Sequence, residues 1–235
     1  MRLIASDQLS DAELARLFTR GYENYFVPVE VDEATMRYMI DTWDIDLAKS
    51  RVAPETGLCN LAVRGDRGWI GGIAVVPEHR GKGIGRILLE AVLELAPPTV
   101  LLEVIEANEP AISLYESVGF EKTRVLEVWR VDAPEAPAEK VEASVLGQAD
   151  LPWQRDDASL PPDYERVEVD GGAMLFRGAT VLQLEARDES AAAALLSRGT
   201  ALNYVNVPEG DVACGALERL GGELRLRQFE MVLTR

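Results

Sequence analysis

The chain reads as a mixed α/β protein in two parts: a twisted sheet flanked by helices, then a smaller, reduced copy of the same half-fold. Three features carry that expectation. Short β-like runs alternate with amphipathic helical stretches, and a glycine-rich turn joins a strand to a helix at residues 80–85. The segment Ala111-Ile-Ser-Leu-Tyr-Glu-Ser-Val-Gly119 also lines up with Ala213-Cys-Gly-Ala-Leu-Glu-Arg-Leu-Gly221 at a constant offset, and the β-runs that follow align without a gap.

In chain order, Ser10 is placed to cap a helix carrying Leu14, Leu17 and Phe18 at helical spacing. Pro28 loosens the pattern before a second helix over residues 32–44, with Met36, Met39, Ile40 and Trp43. Short strands are expected near 50–53, at 58–63 and at 69–76, the last two joined by a hairpin turn over 64–68. Pro77 stops the strand, and a helix over 83–95 repeats Ile84, Ile87, Leu88, Ala91, Val92 and Leu95 on one face. A strand at 100–105 follows. Asn108 caps a helix over 109–118 whose stripe is Ala111, Leu114, Tyr115 and Val118; Gly119 ends it, and a strand at 123–131 closes the unit. Residues 132–139, rich in Pro, Ala and acid, read as a linker. The division expected is therefore 1–132, a linker at 133–139, and a degenerate second domain over 140–235. That second part should hold strands at 141–146, 164–169, 173–177 and 180–186, helices at 189–196 and 211–220, and a terminal strand at 224–233.

Composition narrows the function classes. Hydrophobic residues make up 47% and charged residues 27%, which excludes wholesale disorder and a disulfide scaffold. Lys and Arg total 24 against 40 Asp and Glu, a formal net charge of -16. That field repels polyanions, so nucleic acid is not an expected partner, whereas an amine-bearing molecule is attracted. Cys59 and Cys214 lack metal-ligand spacing, and the single histidine, His79, cannot build a zinc site or a histidine triad, so no metal is expected. No run approaches the ~20 apolar residues of a membrane helix. Asp7, Asp11 and Glu13 interrupt the N-terminal stretch, so it lacks a signal-peptide pattern. The expectation is a cytoplasmic protein with no membrane partner, monomeric or homodimeric.

The segment that carries chemistry is the strand running into Arg80-Gly81-Lys82-Gly83-Ile84-Gly85-Arg86. Glycines let successive N–H groups converge on an anion, and the helix N-terminus adds about half a positive charge. A pyrophosphate suits such a nest. Arg80, Lys82 and Arg86 reverse the local sign of an otherwise acidic chain. A Walker loop needs Ser or Thr after its Gly-Lys pair, and Lys82 is followed by Gly83; the Rossmann fingerprint needs a glycine where Leu88 stands.

This segment resembles the acetyl-CoA loop of the GNAT superfamily of N-acetyltransferases. The pattern Arg/Gln-x-x-Gly-x-Gly/Ala is met by Arg80, Gly83 and Gly85, with Ile73-Ala74-Val75-Val76-Pro77 before it and Ile87-Leu88-Leu89 after it. A second family motif follows at the right distance: Leu102-Glu103-Val104, Asn108, Ala111, Leu114-Tyr115 and Gly119-Phe120. The resemblance covers the chain to Val131. The remainder resembles, more weakly, the extra half-domain of two-part bacterial members through Pro152-Trp153-Gln154-Arg155 and Gln228-Phe229-Glu230-Met231. It implies transfer of an acetyl group from acetyl-CoA (coenzyme A) to a small-molecule or peptide amine in a ternary complex. Ile73, Ala74 and Val75 would line the pantetheine and thioester. Gly81, Lys82, Gly83, Ile84, Gly85 and Arg86, with Arg80, would hold the pyrophosphate, Asn108 would touch the cofactor arm, and Tyr115 would sit near the sulfur. The competing class is a non-catalytic acyl-CoA-binding module.

Thioester aminolysis builds negative charge on the carbonyl oxygen, then on sulfur. A fixed N–H such as that of Val75 stabilises the first and Tyr115 protonates the second. A tyrosine of ordinary pKa delivers that proton at a cost of roughly 2 kcal/mol. On an apolar stripe it reads equally as core. Several relatives use a glutamate on the strand before the phosphate loop as base; residues 69–76 hold no acid. Glu103, one strand on, is the candidate, acting through a bound water, with a solvated strand acid as the alternative. Glu23, Glu30, Glu33, Asp41 and Asp44 either bind a cationic acceptor or solvate the first two helices. Tyr22, Tyr25, Phe26 and Trp43 either wall an acceptor pocket or form core between them, and Cys59 reads as a small packed hydrophobe.

Overall fold

The computed structural model describes residues 1–132, 139–141, 144–197 and 201–235; all but the last residue of the expected linker lies outside them. The first part runs β1 (Ile4–Ala5), α1 (Asp11–Gly21), α2 (Glu33–Thr42), β2 (Arg51–Ala53), β3 (Gly57–Arg64), β4 (Arg67–Val75), α3 (Ile84–Leu93), β5 (Thr99–Ile105), α4 (Glu109–Ser117) and β6 (Glu121–Val131). The second runs β7 (Glu139–Val141), β8 (Glu165–Val169), β9 (Gly172–Arg177), β10 (Thr180–Ala186), α5 (Glu189–Leu196), β11 (Leu202–Pro208), α6 (Val212–Arg219) and β12 (Glu223–Thr234). Two compact units result: Met1–Val104 with Asn108–Lys122 and Met231–Arg235, and Ile105–Ala107 with Thr123–Glu230.

In the first unit the strands lie in the order β1-β2-β3-β4-β5. The first four are antiparallel neighbours and β4 and β5 are parallel. The end of β12 follows β5, where the Arg235 N–H donates to the Pro98 carbonyl at 3.0 Å. Helix α1 starts at a reciprocal cap, the Ser10 N–H donating to Glu13 Oε2 at 2.8 Å and the Glu13 N–H to Ser10 Oγ at 3.3 Å. It buries Leu14, Leu17 and Phe18, as its spacing predicts, in a core that also holds Leu58, Leu61, Leu88, Leu89, Val92 and Leu102. The feature that shapes this unit is where β4 and β5 stop pairing. They are joined only at Arg67↔Thr99, Gly68↔Val100 and Trp69↔Leu101, although β4 continues to Val75 and β5 to Ile105. A β-bulge in β4, with Gly71 unpaired between the rungs Asn60↔Gly72 and Leu61↔Ile70, raises the local twist at that point. The strands stop pairing there, and β4 runs on through the glycine-rich turn into α3.

In the second unit the strands lie in the order β12-β6-β11-β10-β9-β8-β7. The offset that pairs Ala111 with Ala213 also brings Glu121, first in β6, onto Glu223, first in β12. Its core gathers Val167, Met174, Leu184, Leu195, Tyr204 and Leu217. Here too the parallel pair is short: β10 and β11 meet only at Thr180↔Asn203 and Val181↔Tyr204. Beyond that point the gap is bridged from within. Trp153 and Arg155, in a single 3-10 turn, are fully buried or nearly so. The Arg155 guanidinium donates to the Leu182 carbonyl of β10 at 3.4 Å, to the Asn206 carbonyl of β11 at 3.0 Å, and to the Tyr204 hydroxyl.

Two sequence expectations need correction. The strand expected at 141–146 ends at Val141; residues 144–146 have no regular structure, and 142–143 lie outside the described residues. Conversely, β11 was not expected. Asn206 takes a left-handed φ of 58° at a register shift between Tyr204 and Val207, which breaks the period-two alternation that betrays a strand.

Candidate active site

The glycine-rich turn folds as a main-chain cradle. After a 3-10 turn at Pro77–His79, Gly81 and Gly83 adopt left-handed φ values of 72° and 77° on either side of Lys82, and Gly83 becomes the N-cap of α3. A Cβ at Gly81 or Gly83 would meet nothing within 4 Å, so glycine is needed there for its backbone angle and not for want of room. The consequence is a run of six amides, Gly81 to Arg86, that donate to no acceptor among the described residues. Unpaired N–H groups at a helix start, curled by two left-handed residues, form an anion site. Gly85 has neither constraint within the protein: its φ is ordinary and a Cβ would make only normal contact with Leu114 Cδ2 at 3.5 Å.

The three cations of the turn are not aimed at the cradle. Arg80 donates to the carbonyls of Val75 (3.0 Å), Gly21 (3.1 Å) and Glu23 (2.6 Å), binding the turn to the end of β4 and the C-terminus of α1. Carbonyls left over at a helix end carry partial negative charge and draw the guanidinium. Lys82 Nζ donates to the Glu78 carbonyl at 2.7 Å; Arg86 bonds Glu90 at 2.9 Å and Ser117 Oγ. In this structure all three cations bond protein acceptors, and the unengaged donors of the turn are main-chain amides.

Beside the cradle, β4 presents alternate residues to the opening. The Val76 N–H donates to the Thr56 carbonyl at 2.9 Å, so antiparallel alternation pairs Ala74 with Leu58 and turns the polar groups of Ile73 and Val75 away from β3. Ala74 thus uses its main chain in the sheet. The Val75 carbonyl receives Arg80, the Ile73 amide faces the Tyr22 hydroxyl, and β5 has no residue in register to accept the Val75 N–H.

Tyr115 is 8% exposed, its ring edge-on to Phe120 at 5.9 Å. Burial raises its pKa well above the ordinary phenol value, and the nearby Tyr22, Cys59 and Tyr25 push the same way. Asn108 caps α4 by accepting from the Ala111 N–H at 3.3 Å, while its Nδ2 donates to the Tyr25 hydroxyl at 3.4 Å. Glu103 on β5 accepts the Trp69 indole N–H at 2.7 Å. Cys59 is wholly buried with its thiol pKa pushed up, which keeps it neutral and unreactive. Glu23, Glu30, Glu33, Asp41 and Asp44 are all exposed, Asp44 meeting Arg64 at 2.6 Å, and no group of metal-ligating side chains occurs among the described residues. The aromatics divide: Phe18, Tyr22, Tyr25 and Phe26 form one run of ring contacts, and Tyr38, Trp43 and Trp69 another. Sequence reasoning missed Trp69 and the Arg80 clamp. The indole was legible only as a strand residue, because its partner is 34 positions away.

The family model described as Acetyltransferase (GNAT) family matches residues 12–120. An N-alpha-acetyltransferase of Sulfurisphaera tokodaii is 30% identical over 122 residues, half of this chain and 68% of that protein. The chain belongs to the GNAT family. Coverage of other relatives is smaller: an N-alpha-acetyltransferase of Saccharolobus solfataricus is 39% identical over 75 residues, 45% of its length. Two solved structures share the GNAT fold along the whole chain. A putative acetyltransferase from Pyrococcus horikoshii gives a TM-score of 0.71 at 14% identity, covering 100% of this chain and 88% of that one. A tandem GNAT protein from the clavulanic acid biosynthesis pathway gives 0.60 at 12% identity, covering 99% and 98%. Acetyl-CoA is the GNAT cofactor, and the cradle suits its diphosphate: six unengaged amides, with open space where side chains would stand.

Proposed function

We propose that this chain is an acetyl-CoA-dependent N-acetyltransferase acting by direct transfer in a ternary complex. The six unengaged amides that follow β4, a strand that stops pairing with β5 after Trp69, carry this reading. The bound cofactor supplies an acetyl group activated as a thioester. The amides of residues 81–86 would hold the pyrophosphate, the main chains of Ile73 and Val75 would line the arm, and Asn108 would contact it. The Val75 N–H donates to the thioester carbonyl oxygen, where charge develops. Glu103 removes the ammonium proton, directly or through water. Tyr115 gives its proton to the departing sulfur. Burial raises the Tyr115 pKa, but it penalises a thiolate in the same place alike, so the transfer stays within reach.

The acceptor class follows from proton chemistry and from the relatives' names. An alkylamine of pKa near 10.4 is neutral in about one molecule in 2,500 at pH 7, a penalty of roughly 4.6 kcal/mol, whereas an α-amine costs only about 1 kcal/mol. With one carboxylate as base, a peptide or protein α-amine is the better match, in keeping with the N-alpha-acetyltransferase relatives. We propose further that residues 1–132 and 140–235 are two copies of one half-fold, and that only the first binds cofactor. The second lacks the cradle, and Arg155 bridges the strands where its opening would be. A cytoplasmic monomer or homodimer fits the composition.

Calorimetry with acetyl-CoA, followed by mass spectrometry of a peptide bearing a free α-amine, tests the proposal. Binding near one cofactor per chain with an acetylated N-terminus is expected; binding without product on any amine would make the chain a sensor module.

A further inference from the structure

We infer that Trp69 is the positioning residue for Glu103: its indole fixes the carboxylate at the entrance to the opening, in place of a base on β4. The inference rests on the base reading above and adds the group that makes it workable. Trp69 and Leu101 form the last rung of the parallel pair, and side chains of a rung share a face. Glu103 is two residues beyond Leu101 on that face, so it is the first side chain past the point where the strands part. This face is also the open one, since Thr99, Leu101 and Glu103 are partly exposed while Val100, Leu102 and Val104 are buried. A glutamate here has three rotatable bonds, and β4 no longer pairs with β5 beside it. The Trp69 Nε1–H, at 2.7 Å from Oε2, supplies the restraint.

Trp69 can do this because of what surrounds it. It is 3% exposed, and its ring is braced edge-on by Trp43 at 5.7 Å, which is braced in turn by Tyr38 at 6.3 Å. Below it lies Gly71, two residues along the same strand. A Cβ there would stand 2.7 Å from Trp69 Cζ3 and 3.2 Å from Cε3, so the absence of a side chain lets the indole lie against its own strand. An indole nitrogen donates and cannot accept, so Oε2 must act as acceptor and a captured proton is carried on Oε1, which is itself shut off from bulk solvent. That fixes both the direction and the atom of proton removal.

The test is a double-mutant cycle on the whole chain, with acetyl-CoA and a peptide bearing a free α-amine. Trp69→Phe keeps the ring and removes the donor. Kcat should fall about tenfold with KM for acetyl-CoA unchanged, the scale of a misplaced catalytic group. Glu103→Gln should cost about a hundredfold or more. Adding Trp69→Phe to Glu103→Gln should then cost nothing further, because the indole acts only through the carboxylate. Gly71→Ala, which keeps the indole but displaces it, should show the same loss and the same masking. A tenfold loss that persists in the Glu103→Gln background, or wild-type kcat in Trp69→Phe, overturns the positioning role alone. Wild-type kcat in Glu103→Gln overturns the base reading and this inference together.

Discussion

Tyr115 is the residue on which sequence and structure most needed reconciling. An aromatic on an apolar helical stripe is ordinarily core, and Tyr115 does pack against Phe120. Its hydroxyl lies near Tyr22, Tyr25 and Cys59, which together with burial raise its pKa. Tyr115→Phe should lower kcat by about a hundredfold, at the low end for an acid catalyst, while acetyl-CoA affinity stays within twofold by calorimetry. Unchanged turnover would remove the phenol from the mechanism. Gly83→Val acts differently. The position is open but its φ is 77°, so a β-branched side chain forces the turn out of shape and should weaken acetyl-CoA binding by at least tenfold. At Gly85, where a Cβ would make only ordinary contact with Leu114, Gly85→Ala should leave Tm no lower. The sequence marked all three glycines as one motif; only the structure separates the two that need their backbone angle from the one that does not.

At the scale of elements, periodicity revealed most of the helices and strands, though not β11, because Leu14, Leu17 and Phe18, or Ile84, Leu88 and Val92, repeat on one face whatever they touch. It could not reveal where β4 and β5 part, since pairing depends on a bulge at Gly71 and on partners some 30 positions away. The Arg80 clamp was hidden for the same reason: its acceptors lie at Val75, Gly21 and Glu23, and only the first is nearby in sequence. Arg80→Met should loosen the cradle without removing any donor of the anion. Its expected signature is weaker acetyl-CoA binding that full saturation restores to near-normal kcat. In the second half, Arg155 is a buried cation satisfied by two carbonyls and a hydroxyl. Arg155→Met strands those acceptors, at a cost of about 3 kcal/mol. That corresponds to a fall of roughly 6–12 °C in Tm, read by calorimetry.

For the whole molecule, the net charge of -16 and the alignable 111–119 and 213–221 segments were open to the sequence, while the bridging of β10 and β11 by Arg155 was not. The buried phenols and thiols give a global pH signature. Tyr204 and Cys214 are both pushed up to about 12 by burial, and Tyr22, Cys59 and Tyr115 are raised as well. Above the ordinary thiol and phenol values the unfolded chain releases protons that the folded chain retains, so unfolding is favoured as pH rises. Stability should be level on this account up to about pH 8.5 and fall steadily beyond it. A Tm constant to pH 11 would show that these groups are not buried as described. The measurement closest to the central claim is an amide NMR titration with acetyl-CoA. Saturation should move the N–H signals of Gly81 to Arg86 more than any other contiguous run, as unengaged donors take up a diphosphate. Those six signals staying still while binding saturates would place the cofactor elsewhere and contradict the account.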